Sequence, residues 1–385
     1  MAASASSPAT DLVPRRILVR GVNWLGDAVM TTPALLRLRE RFPAAEITLL
    51  THEKLAGLWP GHPVVDRVLT FRSKEGVFAI ARQLRAERFD LALVLPNSPR
   101  SALEVRLAGI PRRVGGAWPW RNWLLTDVVP PAPGIVKMHK RTEAEVKRLI
   151  AAAPSGNAPP AIPASSHQLH HYLRLVASLG GNPEPLPPLL TVSAEEVEAA
   201  REKFQLTFGP TWIGLNAGAE YGPAKRWPGE NFIAAAYELH RQTHCGFVIF
   251  GGPADAPLAD KMETELLARG ISRSSLVRLA GRTSLRELCA ALSVCRVLLT
   301  NDTGPMHVAA ALGVPVVVPF GSTSPELTGP GLPGDPRHRL LRSEAPCAPC
   351  FRRECPIDFR CLKGIAVGRV VTAVLQTLQR EGSPP

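Results

Sequence analysis

The first half of the chain opens with the pattern of apolar and polar positions that is typical of a β-α-β unit. A short apolar strand is predicted over Arg16–Arg20, followed by a loop that runs to Asp27. Apolar residues then recur with helical spacing through Arg41, and a second strand is predicted over Ile47–Thr51. The two strands should be parallel, because a crossover helix connects them.

The second half of the chain repeats this plan. It predicts a strand at 212–216, a polar loop at 217–228, a helix at 231–242 and a strand at 246–250. Strands that alternate with helices in both halves predict the α/β class with two doubly wound parallel sheets. Ligands of such sheets bind at the carboxyl ends of the strands, so the loops that follow the strands should face one another across a central cleft.

With 385 residues, the chain is long enough for two domains. We predict a disordered leader at 1–15, an N-terminal domain at 16–185 and a C-terminal domain at 186–385. A Pro/Ala-rich insertion is predicted near 140–166, and the link between the domains is placed near 183–190.

Neither the longest apolar run nor the N-terminal segment suggests a membrane or secreted protein. The longest apolar run, 308–320, is broken by Gly313, Pro315 and Pro319 and is shorter than a membrane span. The leader is rich in Ala and Ser and lacks a basic start followed by an apolar stretch, so it does not resemble a secretion signal. We therefore expect a cytoplasmic protein.

The net charge of +12 favours an anionic partner, such as nucleic acid, an acidic lipid surface or a phosphorylated substrate. Nucleic acid is the weaker interpretation, because the sequence lacks a known nucleic-acid-binding signature and only 6% of its residues are aromatic. A dehydrogenase is also disfavoured, since neither strand-to-helix loop contains G-x-G-x-x-G.

The most informative segment, 298–312, is predicted as a strand that turns sharply into a helix. A helix N-terminus attracts anions because its first N–H groups lack partners and the peptide dipoles point their positive ends there. Thr303 can cap this helix, Gly304 allows close approach of the backbone, and His307 follows one turn later near a bound phosphate. Asp302 can accept a hydrogen bond from a sugar hydroxyl. The alternative is an ordinary capped helix with a core histidine.

Two other loops carry candidate chemistry. Asp27 follows a glycine at the start of the first helix and is either a general base or merely a helix cap. The glycine-rich loop that contains Gly218 places Lys225 where a diphosphate could bind. Trp24, beside Asp27, is either a core residue or a surface on which a sugar stacks.

The turn after the strand near Leu93 offers further polar groups. Asn97, Ser98 and Arg100 could hold the hydroxyls or phosphate of an acceptor. The alternative is that Ser98 caps a helix and Arg100 is a surface residue.

Four of the seven cysteines lie within fifteen residues, at Cys347, Cys350, Cys355 and Cys361. This spacing could bring four thiolates around a structural zinc ion, although it lacks the usual separation into two pairs. Free thiols or transient disulfides are the alternatives in a reducing compartment.

Together, the Gly26-Asp27 pair, the turn 96–98, the loop 218–228 and the helix start 301–312 resemble the ADP-heptose:lipopolysaccharide heptosyltransferase family. The resemblance covers roughly residues 16–375. It implies a GT-B architecture of two Rossmann-like domains, the first for a lipid-linked acceptor and the second for a nucleotide sugar.

The resemblance also implies an inverting reaction without metal or cofactor. Asp27 would deprotonate the 3-hydroxyl of the first inner-core heptose of heptosyl-Kdo2-lipid A, which then attacks ADP-heptose. The donor site would comprise the following residues: Gly218, Lys225, Asp302, Thr303, Gly304 and His307. The basic surface would meet the inner membrane at its cytoplasmic face.

Two other functions stay open at this point. The chain could be a first-heptose transferase or another GT-B enzyme of the same family with a different acceptor. It could also be a non-catalytic protein that binds nucleotides or an anionic polymer, and such a protein would not require Asp27.

Overall fold

The computed structural model describes residues 13–152, 162–206 and 211–381. Within these residues the strands form two six-stranded sheets that are parallel throughout. The strands of the first sheet are β1 (Arg16–Arg20), β2 (Glu46–His52), β3 (Arg67–Phe71), β4 (Leu91–Val94), β5 (Arg112–Gly116) and β6 (Asp127–Val129). Those of the second are β7 (Trp212–Asn216), β8 (Gly246–Ile249), β9 (Leu276–Arg278), β10 (Val297–Thr300), β11 (Val316–Phe320) and β12 (Arg339–Arg342).

The strand orders are β3-β2-β1-β4-β5-β6 and β12-β11-β10-β7-β8-β9. If the second sheet is counted from its own first strand, both orders are the 3-2-1-4-5-6 of a doubly wound dinucleotide-binding fold. The order reverses between β1 and β4 in one sheet and between β7 and β10 in the other. Ligands of this fold bind beyond the carboxyl ends of the strands at these reversal points.

Helices cover the faces of both sheets. In the first half they are α1 (Leu25–Met30), α2 (Thr32–Arg41), α3 (Val77–Ala86), α4 (Pro99–Leu107), α5 (Glu143–Ala151) and α6 (Gln168–Ala177). In the second half they are α7 (Ala194–Lys203), α8 (Gly229–Thr243), α9 (Ala256–Ala268), α10 (Leu285–Val294), α11 (Gly304–Ala311), α12 (Pro325–Thr328), α13 (Arg360–Lys363) and α14 (Val367–Glu381). None of the helices in the described residues has the length and apolar character needed to cross a bilayer.

Local sequence signals explain where several helices begin. Thr142, Ser193 and Ser284 each cap a helix and are followed three residues later by a glutamate that bonds back to the cap. The central strands are buried on both faces, since every residue of β4, β7, β10 and β11 is buried. Helices on both sides of each sheet account for these continuous apolar runs.

The two sheets meet through α1 and α11, which pack against each other. Val29 of α1 and Met306 of α11 belong to the same continuous apolar core. The segment between the sheets bonds to both halves, as the Leu189 N–H donates to Thr32 Oγ1 at 3.0 Å and the Leu190 N–H to the Ala311 carbonyl at 3.1 Å.

The predicted α/β class and the four quoted strands are confirmed within a residue or two. The single helix predicted up to Arg41 is wrong, because α1 ends at Met30 and α2 begins at Thr32. Pro33 has no N–H to continue the α1 hydrogen-bond ladder, and the hydroxyls of Thr31 and Thr32 bond back to the carbonyls of the preceding turn.

The predicted domain boundaries remain predictions. Helix α6 packs against α2 of the first half, and α7 packs against α10 of the second half. This packing supports a domain boundary between α6 and α7. Residues 1–12 of the predicted leader and residues 153–161 of the predicted insertion lie outside the described residues.

Candidate active site

The starts of α1 and α11 face each other across a cavity of about 330 Å³ between the two sheets. Each helix follows the carboxyl end of a central strand, β1 or β10, where the fold class predicts a ligand. The cavity contains titratable groups from both halves of the chain. Its lining includes Trp24, Gly26, Asp27, Met138, Tyr221, Lys225, Asp302, Thr303, Gly304, His307, Thr323 and Phe351.

Asp27 is the third residue of α1 and points its carboxyl group into this cavity. The capping interpretation is not what the structure shows, because Trp24 holds the cap position and the Asp27 carboxylate makes no hydrogen bond within the described residues. Burial raises the pKa of Asp27 to about 6, and the negative charge of Asp302 adds to the effect while Lys225 opposes it. A carboxylate with a pKa closer to neutrality is a stronger proton acceptor.

Lys225 and Asp302 form an ion pair at the floor of the cavity. The distance between Lys225 Nζ and Asp302 Oδ2 is 2.7 Å, and the two side chains are 15% and 5% exposed. The Thr323 hydroxyl donates to the same Asp302 oxygen at 2.5 Å. The Lys225 ammonium also lies over the Tyr221 ring, 5.0 Å from its centre.

The ion pair limits the ligand contacts that the sequence predicted for Lys225 and Asp302. Asp302 Oδ2 is already occupied by Lys225 and Thr323, so a sugar hydroxyl would have to use the other carboxylate oxygen. The Lys225 side chain is positioned by Asp302 rather than free to move. Its ammonium has three N–H donors, which leaves capacity for a phosphate oxygen.

Thr303 occupies the N-cap position of α11, as predicted, but its side chain makes no capping hydrogen bond. That part of the prediction is wrong, because the Thr303 side chain lines the cavity instead. Gly304 is required by close packing, since a Cβ there would lie 2.7–2.8 Å from three atoms of the Leu25 side chain. The glycine therefore allows α1 and α11 to approach each other.

His307 lies one turn into α11 and is 5% exposed. A Cβ on Gly26 would lie 2.7 Å from His307 Cδ2, so the ring packs directly against α1. Burial lowers the pKa of His307 to about 4. The imidazole is therefore neutral near neutral pH and can meet a phosphate as a hydrogen-bond donor, not as a cation.

Gly218 does not line the cavity. A Cβ there would lie 2.3 Å from the Asp255 carboxyl group, so the glycine is needed for the packing of its own loop. Arg226, next to Lys225, is held in the same loop because it donates to the Ala219 carbonyl at 3.0 Å and approaches Asp255 at 3.8 Å.

The predicted acceptor residues lie outside the cavity lining. Ser98 caps α4 by accepting the Ser101 N–H at 3.2 Å, and Arg100 pairs with Glu104 at 3.0 Å. These are the contacts that the alternative interpretation predicts. Asn97 differs, since its Oδ1 atom is buried and has no partner among the described residues. A role of these three residues in acceptor binding stays a prediction.

The four clustered cysteines lie near one another, since the pKa of Cys361 is raised by burial and further by the charges of the other three thiols. Cys347 and Cys350 pack beside Val146 in a small apolar cluster, whereas Cys361 belongs to the core of the second sheet. Cys355 Sγ accepts the Phe359 N–H at 3.3 Å. In the part of the chain that the structure describes, no group of three or more His, Cys, Asp or Glu side chains is arranged to hold a metal ion. A structural zinc site at these cysteines stays a prediction.

Sequence reasoning missed part of the cavity wall. Phe351 enters it from the cysteine-rich segment, and its carbonyl accepts the Tyr221 hydroxyl at 2.9 Å. Met138 enters it from the segment before α5. No local signal marks either residue. Trp24 is half exposed at the cavity, with the Lys54 ammonium 5.6 Å from its ring centre, so the core interpretation of Trp24 is wrong.

A larger cavity of about 870 Å³ lies between β12, α14 and the segment 329–342. None of the described residues predicted to act on a substrate lines it. Volume alone does not identify an active site, whereas converging titratable groups with shifted pKa values do. The smaller cavity between α1 and α11 is therefore the candidate active site.

Residues 151–359 match the sequence profile of glycosyltransferase family 9 (heptosyltransferase). Lipopolysaccharide heptosyltransferase 2 of Escherichia coli K12 is 32% identical over 323 residues, which cover 82% of this chain and 85% of the relative. This chain belongs to glycosyltransferase family 9. The predicted family and the predicted class of enzyme are both confirmed.

One further relative and two solved structures are similar to this family 9 chain. Lipooligosaccharide heptosyltransferase 2 of Haemophilus ducreyi is 30% identical over 82% of this chain and 86% of the relative. The solved structure of the E. coli ADP-heptose lipopolysaccharide heptosyltransferase II superposes with a TM-score of 0.76, at 27% identity over 96% of this chain and 100% of that one. The family 9 glycosyltransferase of Veillonella parvula, at 23% identity over 97% and 100% of the two chains, shares the fold with a TM-score of 0.75. The predicted GT-B fold is thereby confirmed.

Proposed function

We propose that this family 9 enzyme transfers L-glycero-D-manno-heptose from ADP-heptose to the first inner-core heptose of lipopolysaccharide, with inversion at the anomeric carbon. The observation that carries the proposal is the single cavity in which Asp27, from the first half, faces the Lys225–Asp302 pair, from the second half. A proton acceptor and a cation on opposite sides of one cavity suit a displacement in which an anionic group leaves.

The relatives support the choice of substrates. The sequence relatives of highest identity described above are lipopolysaccharide or lipooligosaccharide heptosyltransferases 2, and the related solved structure is named for ADP-heptose. We infer heptosyl-Kdo2-lipid A as the acceptor, because transfer to the first heptose requires that this heptose be present.

Asp27 acts as the general base in this proposal. Its carboxylate takes the proton of the acceptor 3-hydroxyl while the hydroxyl oxygen forms a bond to the anomeric carbon of the donor. The bond from that carbon to the ADP oxygen breaks, and its electron pair leaves with ADP. Because the attack and the departure occur on opposite faces of the sugar, the configuration inverts.

The second half stabilises the departing ADP. Lys225 supplies a positive charge, and the start of α11 at Thr303–Gly304 supplies N–H groups and the positive end of the helix dipole. His307 donates a hydrogen bond to the phosphates as a neutral imidazole. Asp302 orients Lys225 and, through its second oxygen, holds a hydroxyl of the transferred sugar.

No cofactor or catalytic metal enters this proposal, because the charge that develops on ADP is met by Lys225 and the helix start. We place the reaction at the cytoplasmic face of the inner membrane, with the enzyme bound peripherally. The net charge of +12 supports this placement, because the lipid surface and the phosphorylated acceptor are both anionic.

The test is release of ADP from ADP-heptose by the purified protein with three acceptor conditions. These are heptosyl-Kdo2-lipid A, the same core without its first heptose, and no acceptor. Release that requires the heptosylated core supports the proposal. Release with the heptose-free core would reassign the protein to the first heptose transfer, and no release with either core would favour a non-catalytic binding protein.

A further inference from the structure

Exposed apolar side chains are concentrated in one short part of the chain. Ten large apolar residues are exposed among those described, and six of them lie between residues 118 and 138. Three are tryptophans: Trp118, Trp120 and Trp123 are 51%, 86% and 68% exposed. Among the described residues, none of the ten follows Met138. The exposed tryptophans within residues 118–123 provide apolar surface of the kind found at interaction sites.

The loop between β5 and β6 is built to hold these tryptophans outward. Arg121, between them, is fully buried and donates to the Pro96 carbonyl, and Leu124 packs into the core of the first sheet. The Trp118 N–H donates to Asn122 Oδ1 at 2.9 Å, which closes the turn. The tryptophans are therefore displayed by an anchored loop. We call residues 118–123 the tryptophan loop.

The surroundings of the tryptophan loop are strongly basic. Residues 106–141 contain seven lysines and arginines, of which Arg121 is buried, and one acidic residue, Asp127, which is paired with Arg112. Arg106, Lys137 and Lys140 are exposed and form no ion pair within the described part of the chain. The Arg106 guanidinium lies 5.7 Å from the centre of the Trp123 ring, so cationic and aromatic groups share one surface.

The chain runs from the tryptophan loop through β6 to a segment that reaches the active-site cavity. The segment after β6 carries the exposed residues Val136, Lys137 and Met138, and Met138 lines the cavity. A lipid-linked substrate held at segment 136–138 would therefore lie beside the cavity that contains Asp27.

From these observations we propose that the tryptophan loop and the basic segment 136–140 form the surface by which the enzyme docks on an anionic phospholipid bilayer. Tryptophan prefers the boundary between headgroups and acyl chains, where its ring is apolar and its N–H reaches water. Lysine and arginine add attraction to anionic headgroups. This docking proposal rests on the proposed function, because that function uses a membrane-linked acceptor. The vesicle-binding test of the docking proposal does not require turnover.

The first test measures binding of the purified protein to vesicles of phosphatidylethanolamine and phosphatidylglycerol by co-sedimentation. Replacing all three tryptophans by serine (W118S/W120S/W123S) should lower vesicle affinity by at least about tenfold. These side chains are exposed, so we expect the thermal midpoint of the variant to stay close to that of the parent. If the triple variant fails to fold, Trp120→Ser alone serves as the test, with a smaller loss of affinity.

The second test removes the basic groups. The variant R106Q/K137Q/K140Q should lose on the order of 100-fold in affinity for anionic vesicles, because each charge near the surface contributes about fivefold. Its control is R241Q/K261Q/R273Q, which changes the net charge equally at exposed, ion-paired residues of the second half of the chain and should bind vesicles as the parent does. Equal losses in the two variants would show a general charge effect and overturn the proposal.

Turnover separates this proposal from the proposed function. With a water-soluble, deacylated heptosylated core, the W118S/W120S/W123S variant should turn over as the parent does, whereas with acceptor in vesicles it should be slower. Loss of turnover with the deacylated core would place the loop in the acceptor site and overturn the membrane proposal. Vesicle binding by a parent protein without any turnover would leave the docking surface supported and the proposed function wrong.

Discussion

Burial gives Asp27 a chemistry that an exposed aspartate lacks. Its carboxyl group lies at the start of α1 in a cavity of limited size, and burial raises its pKa to about 6. The sequence placed this residue at the start of a helix after the first strand, and the structure confirms that position. The raised pKa could not be predicted, because it arises from burial in a cavity whose walls come from segments remote in sequence, with a smaller contribution from the charge of Asp302.

The first prediction is a pH profile. Because the base works only when deprotonated, kcat/KM should rise with pH and level off above an apparent pKa near 6. Asp27→Asn should lose about 100- to 10,000-fold in kcat and show no such rise. ADP binding by the variant, measured by calorimetry, should be retained; full turnover by Asp27→Asn would contradict the general-base role.

The pH dependence of folding stability gives an independent check on the raised pKa of Asp27. The pKa of Asp27 is higher in the folded protein than in the unfolded chain, so the folded state binds the proton more tightly. Stability therefore falls as pH rises from about 4 to above 6, by up to about 3 kcal/mol. Asp27→Asn should raise the thermal midpoint near neutral pH and leave it unchanged below about pH 4.

The second prediction concerns the buried pair of Lys225 and Asp302. Lys225→Met leaves the Asp302 carboxylate buried without its cation and should destabilise the fold by about 3 kcal/mol. Adding Asp302→Asn should restore most of that stability, since the uncompensated charge is gone, while turnover stays low. The free energies of unfolding are measured by urea titration.

The exposed pair of Lys261 and Glu265 is the matched control for this cycle. Its lysine is 61% exposed and lies 3.7 Å from the glutamate. Lys261→Met should change stability by less than about 1 kcal/mol. An equally small effect of Lys225→Met would show that the buried pair contributes little to folding.

At the scale of elements, the active site depends on how closely α1 and α11 approach each other. Gly26 lies against His307 and Gly304 against Leu25, so each helix has a glycine where the other touches it. Both glycines are evident in the sequence as parts of polar turns. Their contact with the opposite helix is not, because a residue pattern shows which face of a helix is buried but not which element covers it.

The third prediction tests this contact. Gly26→Ala places a Cβ 2.7 Å from the His307 ring, which must shift, and should cost about 1–3 kcal/mol in stability with a lower kcat/KM. Gly368→Ala in α14 is the control, since a Cβ there meets no atom within 4 Å. That variant should be neutral or slightly more stable, because alanine favours helices. Normal activity in Gly26→Ala would show that the two helices can separate without consequence.

At the scale of the whole molecule, one apolar core runs through both halves of the chain. It includes Ile17 of β1, Leu298 of β10 and the residues of α1 and α11 between them. The sequence predicts two domains, and the two sheets agree with that prediction. Their shared core depends on packing between remote segments, which no single periodicity reveals.

The fourth prediction follows from this continuity. Scanning calorimetry should show one unfolding transition, with a calorimetric enthalpy equal to the van't Hoff enthalpy, because neither sheet can unfold without exposing the core of the other. Saturating ADP should raise the midpoint without splitting the transition. Two separate transitions would contradict the prediction and show that the halves unfold independently.

The sequence by itself determined the α/β class, the β-α-β unit of each half, the loops that carry Asp27 and Lys225, and the start of α11. These features depend on periodicity, turn residues and capping, which are local in the chain. The sequence also predicted an anionic partner through its charge of +12.

Only the tertiary structure decided which of these residues meet. It brought Asp27 to the Lys225–Asp302 pair, whose members lie 198 and 275 residues further along the chain, and added Phe351 to the cavity wall. It also showed Ser98 as a helix cap. The physical reason is that burial, and with it the pKa of Asp27, is set by contacts between distant segments, and such contacts exist only after the two sheets have packed together.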